Sequence, residues 1–158
     1  MKKLLIRWSM QLMLSALAFL ARRPVLAPLS NAITRWMART TVKAKRIGHA
    51  HNTTELGALW QRSFLSKKQV PIESTSEQTV IAQIHTRCPL QGSGDLEACH
   101  RMMEFDRELM RQVGGQFVVL QSQATPGVNH CRVAMRMQGE SLADLSQAHI
   151  AARAPNAP

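Results

Sequence analysis

The sequence predicts an α+β fold: a small antiparallel sheet packed against a central amphipathic helix, preceded by basic amphipathic N-terminal helices. Three observations lead to this prediction. Residues 79–88 alternate between apolar and polar side chains, which is typical of a half-buried strand. Residues 96–113 repeat apolar side chains at steps of three and four, which is typical of a helix. Residues 1–46 contain ten Lys or Arg and no Asp or Glu, whereas the charges from residue 47 onward cancel.

This charge asymmetry divides the chain into three parts. We expect residues 1–46 to be a basic membrane-associating segment, residues 47–150 an α+β cysteine-containing domain, and residues 151–158 a loose tail rich in Ala and Pro. The whole net charge of +10 lies in the first part, so an anionic surface is its expected partner. Anionic lipids fit its Leu-, Met- and Trp-rich composition. Nucleic acid is not expected, because no nucleic-acid-binding motif accompanies the basic segment.

The first helix is expected to lie in the membrane interface. Residues 8–21 would form a helix of about 21 Å, shorter than the hydrocarbon core of roughly 30 Å. The alternative is a tilted span in which Arg7 reaches the head groups. No clear cleavage site follows the apolar run, so we expect the segment to be retained. One face of this helix carries a narrow polar stripe: Lys3, Arg7, Gln11, Ser15, Ala18 and Arg22.

A second basic helix is expected after Pro24. Its apolar residues recur at helical spacing, and Trp36 suits a membrane interface. Packing of both helices on the domain is the alternative, which the absence of acids disfavours because a soluble helix surface usually mixes charges of both signs. The apolar residues of this second helix are Leu26, Leu29, Ile33, Trp36 and Met37.

The domain is expected to contain two helices and three strands after a basic linker over 43–52. Thr53 or Thr54 would cap the first helix and Asp95 the second, and Gly114 with Gly115 would stop the second. A turn at Pro126 and Gly127 would join the last two strands. The predicted helices cover 53–66 and 96–113, and the predicted strands cover 79–88, 117–122 and 130–137.

One buried stripe of the helix over 96–113 includes a carboxylate. Asp106 lies among apolar residues, where an unpaired carboxylate is costly. It therefore needs a backbone N–H, an arginine such as Arg132 or Arg136, or a bound ligand. Asp106 is either a structural carboxylate or an acid/base group or ligand anchor with a shifted pKa. The stripe consists of Leu96, Cys99, Met103, Asp106, Met110 and Val113.

Three cysteines are predicted to point toward the core: Cys88 at a strand end, Cys99 on the helix and Cys131 at a strand start. They can be inert buried thiols, a catalytic thiol activated near the helix N-terminus, or a metal or cluster site. The odd count and the expected cytoplasmic location argue against a disulfide. A histidine lies close in sequence to each cysteine, but the spacing matches no known metal-binding motif: His85, His100 and His130.

From Cys88 onward the residues resemble a known superfamily. The pattern is similar to L-2-amino-thiazoline-4-carboxylic acid hydrolase-like proteins and, more distantly, to 4-vinyl-reductase-type small-molecule-binding domains, over roughly residues 55–138. The resemblance implies an α+β domain with a ligand pocket lined by the helix and the following hairpin. It also implies ring-opening hydrolysis of a cyclic thioamidine-like substrate, with the cysteines and Asp106 near the site. The matching residues are Cys88-Pro89-Leu90, Ala98-Cys99, Asp106, Pro126-Gly127 and Cys131-Arg132-Val133.

The sequence thus predicts a membrane-surface module that binds a small ligand or cofactor in a cysteine-lined pocket, on the cytoplasmic face of a bacterial-type inner membrane. Cys131, His100 and Met103 are the candidate ligand contacts. One alternative is a hydrolase that opens a C–N or C–S ring, with Cys88 or Cys99 as nucleophile and Asp106 as acid/base. The other is a metal- or cluster-binding accessory protein. The identity of the ligand or cofactor does not follow from the sequence.

Overall fold

The computed structural model describes residues 2–153, although not the side chains of residues 2–7 and 10. Its helices and strands confirm the α+β class. Of the predicted tail, Ala151 ends the last helix, and residues 154–158 lie outside the described residues. The elements are α1 (Lys2–Ala21), a 3-10 turn (Pro24–Leu26), α2 (Ala27–Ala44), α3 (Thr53–Ser63), a second 3-10 turn (Lys67–Gln69), β1 (Ile72–Thr75), β2 (Val80–Ile84), α4 (Leu96–Met102), α5 (Glu104–Gln112), β3 (Gly115–Gln121), β4 (Cys131–Met137) and α6 (Ala148–Ala151).

The four strands form one antiparallel sheet in the order β1-β2-β4-β3. The predicted strand over 79–88 ends at Ile84, because Ile84 pairs with Cys131, the first residue of β4, and the pairing goes no further. The alternation within β2 is as predicted, with Val80, Ala82 and Ile84 buried. The edge strand β1 was not predicted, since its sequence Ile-Glu-Ser-Thr shows no alternation of apolar residues.

The main core lies between one face of this sheet and helices α3 and α5. Leu56 and Trp60 of α3 and Leu109 of α5 are fully buried against it. The cap of α3 is Asn52, whose Oδ1 accepts a hydrogen bond of 2.9 Å from the backbone N–H of Glu55. The predicted cap at Thr53 or Thr54 is therefore wrong by one or two residues, and the helix ends at Ser63 instead of residue 66.

The predicted helix over 96–113 is divided at Met103, where ψ is 7°. Both halves pack against α2, but only α4 packs against α1, and α5 packs against β3. Asp95 caps α4 as predicted, its Oδ1 accepting a hydrogen bond of 2.8 Å from the N–H of Ala98. Gly114 ends α5 with a φ of +88°, and a Cβ there would collide with the ring of His49.

Helix α2 packs against α5, and two ion pairs connect the two helices. Arg35 pairs with Glu104 and Arg39 with Glu108, each with an Nε–Oε1 distance of 2.7 Å. The two arginines are four residues apart on α2 and the two glutamates are four residues apart on α5, so each arginine faces one glutamate. The preference against packing on the domain is therefore wrong for α2. Its positive charges meet acids supplied from another part of the chain.

The C-terminal half of α1 is also attached to the domain. Leu17, Ala18 and Ala21 are buried, and the Nε of Arg101 donates a hydrogen bond to the carbonyl of Ala21. Ala18, predicted to share the polar stripe, thus belongs to the buried face. Most of the large apolar side chains that are exposed among the described residues lie on α1, on the 3-10 turn that follows it and on α2: Trp8, Leu12, Met13, Phe19, Val25, Leu29 and Trp36.

By length and composition, no single helix in the described part of the chain suffices to cross a membrane. Residues 11–21 and 24–44 meet the same criteria only as a pair, and that pair is bent by 111°.

Candidate functional site

An apolar cavity of about 360 Å³ lies between the layer formed by α1 and α2 and the α+β domain. It lies where the large side chains of these helices meet the end of β2 and the junction of α4 and α5. Four methionines line it, so its walls are soft and adaptable. The lining residues are Met13, Leu14, Leu17, Met37, Thr41, Lys45, Ser63, Phe64, Leu65, Gln69, Ile84, Thr86, Arg87, Cys88, Pro89, Met102, Met103, Phe105, Asp106, Gln123 and Cys131.

Asp106 on α5 contributes a carboxyl group to the cavity wall. Its Oδ1 accepts a hydrogen bond of 2.9 Å from the indole Nε1 of Trp60. Burial raises the pKa of Asp106 to about 6, and the hydrogen bond from Trp60 offsets part of that effect. Arg132 and Arg136, the partners considered from the sequence, form ion pairs with other carboxylates. Asp106 can therefore exchange a proton near neutral pH, as an acid/base group or a pH-dependent ligand anchor must.

Two of the three free cysteines line the cavity. Cys88 is half-buried and Cys131 is buried, whereas Cys99 is buried outside the cavity. Burial raises the pKa of Cys88, the pKa of Cys99 to about 11 and that of Cys131 to about 12. All three are therefore neutral thiols near pH 7. A neutral thiol is a poor nucleophile, so these surroundings do not activate a cysteine.

Gln123 links the segments that carry Cys88 and Cys131, a role that the sequence did not predict. Its side-chain Nε2 donates hydrogen bonds of 3.0 Å to the carbonyls of Ile84 and Thr86, and its Oε1 accepts one from the N–H of Cys88. Its own backbone N–H approaches the Sγ of Cys131 at 3.3 Å. Its position just after an apolar strand is the one sequence signal for this role.

Two predicted site residues lie outside the cavity. The Sγ of Cys99 accepts a hydrogen bond of 2.9 Å from the hydroxyl of Ser122. His100 stacks on His149 with 3.7 Å between ring centroids, and burial lowers its pKa to about 4. The structure therefore brings Cys88, Cys131, Met103 and Asp106 together around one space, without Cys99 and His100.

Two polar side chains of the cavity wall, Lys45 and Ser63, bond to backbone carbonyls. Lys45 donates from Nζ to the carbonyls of Arg62 and Ser63, at 2.9 and 2.6 Å, and so satisfies the end of α3. The hydroxyl of Ser63 donates to the carbonyl of Trp60 at 2.7 Å. Because these groups are engaged, the space presents mainly hydrocarbon and sulfur to an occupant.

A more open cleft adjoins the cavity beside α1. Trp8, Gln11, Ser15 and His85 line the cleft alone. The shared wall forms the opening between cavity and cleft, and Asp106 does not belong to it. That shared wall consists of Leu65, Gln69, Thr86, Arg87, Cys88 and Pro89.

Within residues 2–153, no group of three or more His, Cys, Asp or Glu is placed so that it could hold a metal ion. His85 stacks on His130, with 5.0 Å between ring centroids.

Comparison of the chain with protein-family models, curated proteins and solved structures finds no match.

Proposed function

We propose that this protein is a membrane-surface module that binds a small apolar ligand in the cavity beneath its N-terminal helices. One observation carries the proposal: α1 and α2 wall the cavity with their inner sides and display large apolar side chains on their outer sides. On α2, adjacent residues divide these roles, since Met37 lines the cavity and Trp36 is 66% exposed. A ligand dissolved in a bilayer would therefore meet the cavity wall at the membrane surface.

The charge of the outer face supports an anionic bilayer as the partner. Leu29, Trp36 and Lys43 lie seven residues apart on α2 and are all exposed, so they share one face. Exposed Arg22 and Arg23 lie between the two helices, and the guanidinium of Arg23 lies over the ring of Phe19 at 4.1 Å. Cations beside exposed tryptophans fit an interface of anionic head groups above hydrocarbon. In a bacterial-type cell, the cytoplasmic face of the inner membrane provides such a surface.

Vesicle flotation with the full chain tests the membrane part of the proposal. We expect the protein to float with vesicles that contain phosphatidylglycerol, and less with phosphatidylcholine alone or at high salt. Replacing both Leu29 and Trp36 by serine should reduce flotation. Ile150→Ser is the matched control, because Ile150 is an exposed apolar residue outside this face. Flotation that is equal for the double variant and the control would remove this face from membrane binding.

The alternative is a ring-opening hydrolase of the kind that the sequence resemblance implies. Its supporting observation is that Cys88 and Asp106 line the same cavity. The raised pKa of the Cys88 thiol argues against it, since a nucleophile needs the thiolate. L-2-amino-thiazoline-4-carboxylate is the substrate to test. Turnover that is lost in both Cys88→Ser and Asp106→Asn, with the fold retained, would support the hydrolase, and absence of turnover in the wild type would exclude this substrate.

A further inference from the structure

We propose that the cavity and its adjoining cleft together bind a single-chain amphiphile, with the hydrocarbon chain in the cavity and an anionic head group in the cleft. This inference rests on the proposed function, in that it takes the cavity as the ligand site, and it adds the chemical class of the ligand. It depends on the polarity of the two spaces, their size and the wall that they share.

The cavity suits a hydrocarbon chain better than a polar metabolite. Thirteen of its twenty-one lining residues are apolar, counting the two cysteines. Lys45, Ser63 and Gln123 direct their polar atoms to backbone carbonyls, and Asp106 is bonded to Trp60. A polar ligand would find few hydrogen-bond partners here other than Thr41, Gln69, Thr86 and Arg87, whereas a chain gains contact with methionine and phenylalanine side chains.

The volume of the cavity limits the length of the chain. At about 30 Å³ for each methylene, close to the share of one water in the liquid, a space of about 360 Å³ holds a chain of about twelve carbons. The cavity alone is too small for the two long chains of a phospholipid. The cavity volume falls within the usual range for small-molecule sites.

The cleft supplies the polar end of the site. Its lining includes Arg87 and His85 and contains no Asp or Glu. Arg87 is exposed and forms no ion pair within the described residues. Gln11 and Ser15 of α1 offer further hydrogen-bond donors in the cleft. A carboxylate or phosphate head group complements this cleft, and a quaternary ammonium does not.

The wall that cavity and cleft share contains a thiol that can report on occupancy. Cys88 is half-buried and borders both spaces, whereas the other two cysteines are buried. A chain that passes from the cavity into the cleft covers Cys88. Its alkylation by N-ethylmaleimide should therefore slow when the site is filled.

The test measures the alkylation rate of Cys88 in the full chain by peptide mass spectrometry, with ligands below their micelle concentrations. At ten times its Kd, dodecanoate should slow alkylation by about tenfold, since only the free fraction reacts. Dodecyl phosphate should protect likewise and shows which anionic head is preferred. Dodecyltrimethylammonium, with the same chain and opposite charge, should protect much less, and acetate should not protect at all.

Two variants separate the chain from the head group. Met37→Trp fills the cavity and should abolish protection by dodecanoate. Arg87→Gln should narrow the difference between dodecanoate and dodecyltrimethylammonium, whereas Arg62→Gln should preserve it, because exposed Arg62 lines neither space. Since Arg87 neighbours Cys88, each variant is compared with and without ligand. The ligand series on the wild type stands alone if a variant fails to fold.

The outcomes distinguish this inference from the proposed function. Equal protection by the anionic and cationic amphiphiles would overturn the head-group assignment. Absence of protection by any twelve-carbon ligand, with normal vesicle flotation, would overturn the chain-binding site and leave the membrane-surface role intact. Absence of flotation with full protection by dodecanoate would overturn the membrane-surface role and leave the chain-binding site intact.

Discussion

Helices α2 and α3 each carry a tryptophan, and the two tryptophans face opposite ways. Trp60 on α3 is fully buried and bonded to Asp106, whereas Trp36 on α2 is 66% exposed. The inner side of α2 instead buries small residues, Ser30, Thr34 and Ala38. Helix α3 thus holds the domain together by burying its large apolar side chains. Helix α2 is attached by charge and close backbone packing, so its large side chains remain available for a membrane or a ligand.

The tryptophan pair gives the largest expected difference. Trp60→Ala should lower the free energy of unfolding by about 3–5 kcal/mol or more, because it leaves a large cavity and removes the hydrogen-bond donor of a buried carboxyl. Trp36→Ala should change it by no more than about 0.5 kcal/mol. Urea unfolding followed by circular dichroism measures both. Comparable losses in the two variants would show that Trp36 contributes to the core as Trp60 does.

The sequence predicted the apolar face that α3 buries, but it did not predict the packing of α2 on the domain. Periodicity locates an apolar face, and for α5 and β2 the predicted faces are the buried ones, including Asp106 and Met110. Periodicity does not say what covers a face. Glu104 and Glu108 pair with local arginines on α5 and also with Arg35 and Arg39, 69 residues away in the chain, and no local pattern reports that second pairing.

The candidate site was predictable to a similar extent. Spacing placed Asp106 and Met103 on one stripe, and the strand start placed Cys131 toward the core, where the cavity lies. Cys88 also lines the cavity, but from the loop after β2 and not from the predicted strand end. Cys99 precedes the change of direction at Met103, so it packs with Ser122 in a separate small cluster. Trp60 as the partner of Asp106 depends on the tertiary packing of α3 on α5, which the sequence does not encode in any short pattern.

The second prediction concerns Asp106, the hydrogen-bond partner of Trp60. Its substitution should raise the free energy of unfolding at neutral pH, whereas Trp60→Ala should lower it. A pKa raised to about 6 means that the folded state binds the proton more tightly than the unfolded chain does. The contribution of Asp106 to stability is therefore full below pH 4 and declines as the pH rises to 6. Asp106→Asn should match the wild type near pH 4 and exceed it by up to about 3 kcal/mol at pH 7, at about 1.4 kcal/mol per pKa unit.

Urea unfolding at intervals between pH 4 and pH 7.5 measures this difference. Each comparison is made between wild type and variant at the same pH, so the titration of other carboxyls cancels. A difference that does not change with pH would show that Asp106 has an ordinary pKa. A variant less stable than the wild type at pH 7 would mean that the ionised carboxylate has a stabilising partner besides Trp60.

The third prediction concerns the charges between α2 and α5. Glu104 is buried, and burial acts to raise its pKa, but hydrogen bonds and attraction from Arg35 and Arg107 outweigh that effect and lower it. Glu104→Gln should cost about 1–3 kcal/mol, below the full penalty for a buried pair because its arginine partners can reach water. Since the folded pKa is depressed, the cost should be present at pH 7 and vanish as the pH falls through that value.

The control for this prediction is Glu97→Gln, which removes the exposed pair with Arg153. An exposed ion pair contributes about 0–1 kcal/mol, so Glu97→Gln should change the free energy of unfolding very little. Thermal unfolding of both variants at pH 7 and near pH 3.5 gives the comparison. If both variants lose the same stability at pH 7, the buried position of Glu104 gives it no special role.

The smallest expected effect on stability comes from Arg39→Gln. The Arg39 side chain is 58% exposed, and Glu108 retains Arg111 at 3.0 Å and Gln112 at 2.9 Å, so the loss should not exceed about 1 kcal/mol. The consequence for the cavity should nevertheless be measurable. If the ion pairs hold α2 over the cavity, removing the pair between Arg39 and Glu108 lets the helix move away more often. That movement exposes Cys88. Alkylation of Cys88 by N-ethylmaleimide should therefore be faster in Arg39→Gln than in the wild type, whereas Arg62→Gln should not change the rate. An unchanged rate in Arg39→Gln would mean that the apolar contacts around the cavity, including Met37, hold the layer without that charge pair.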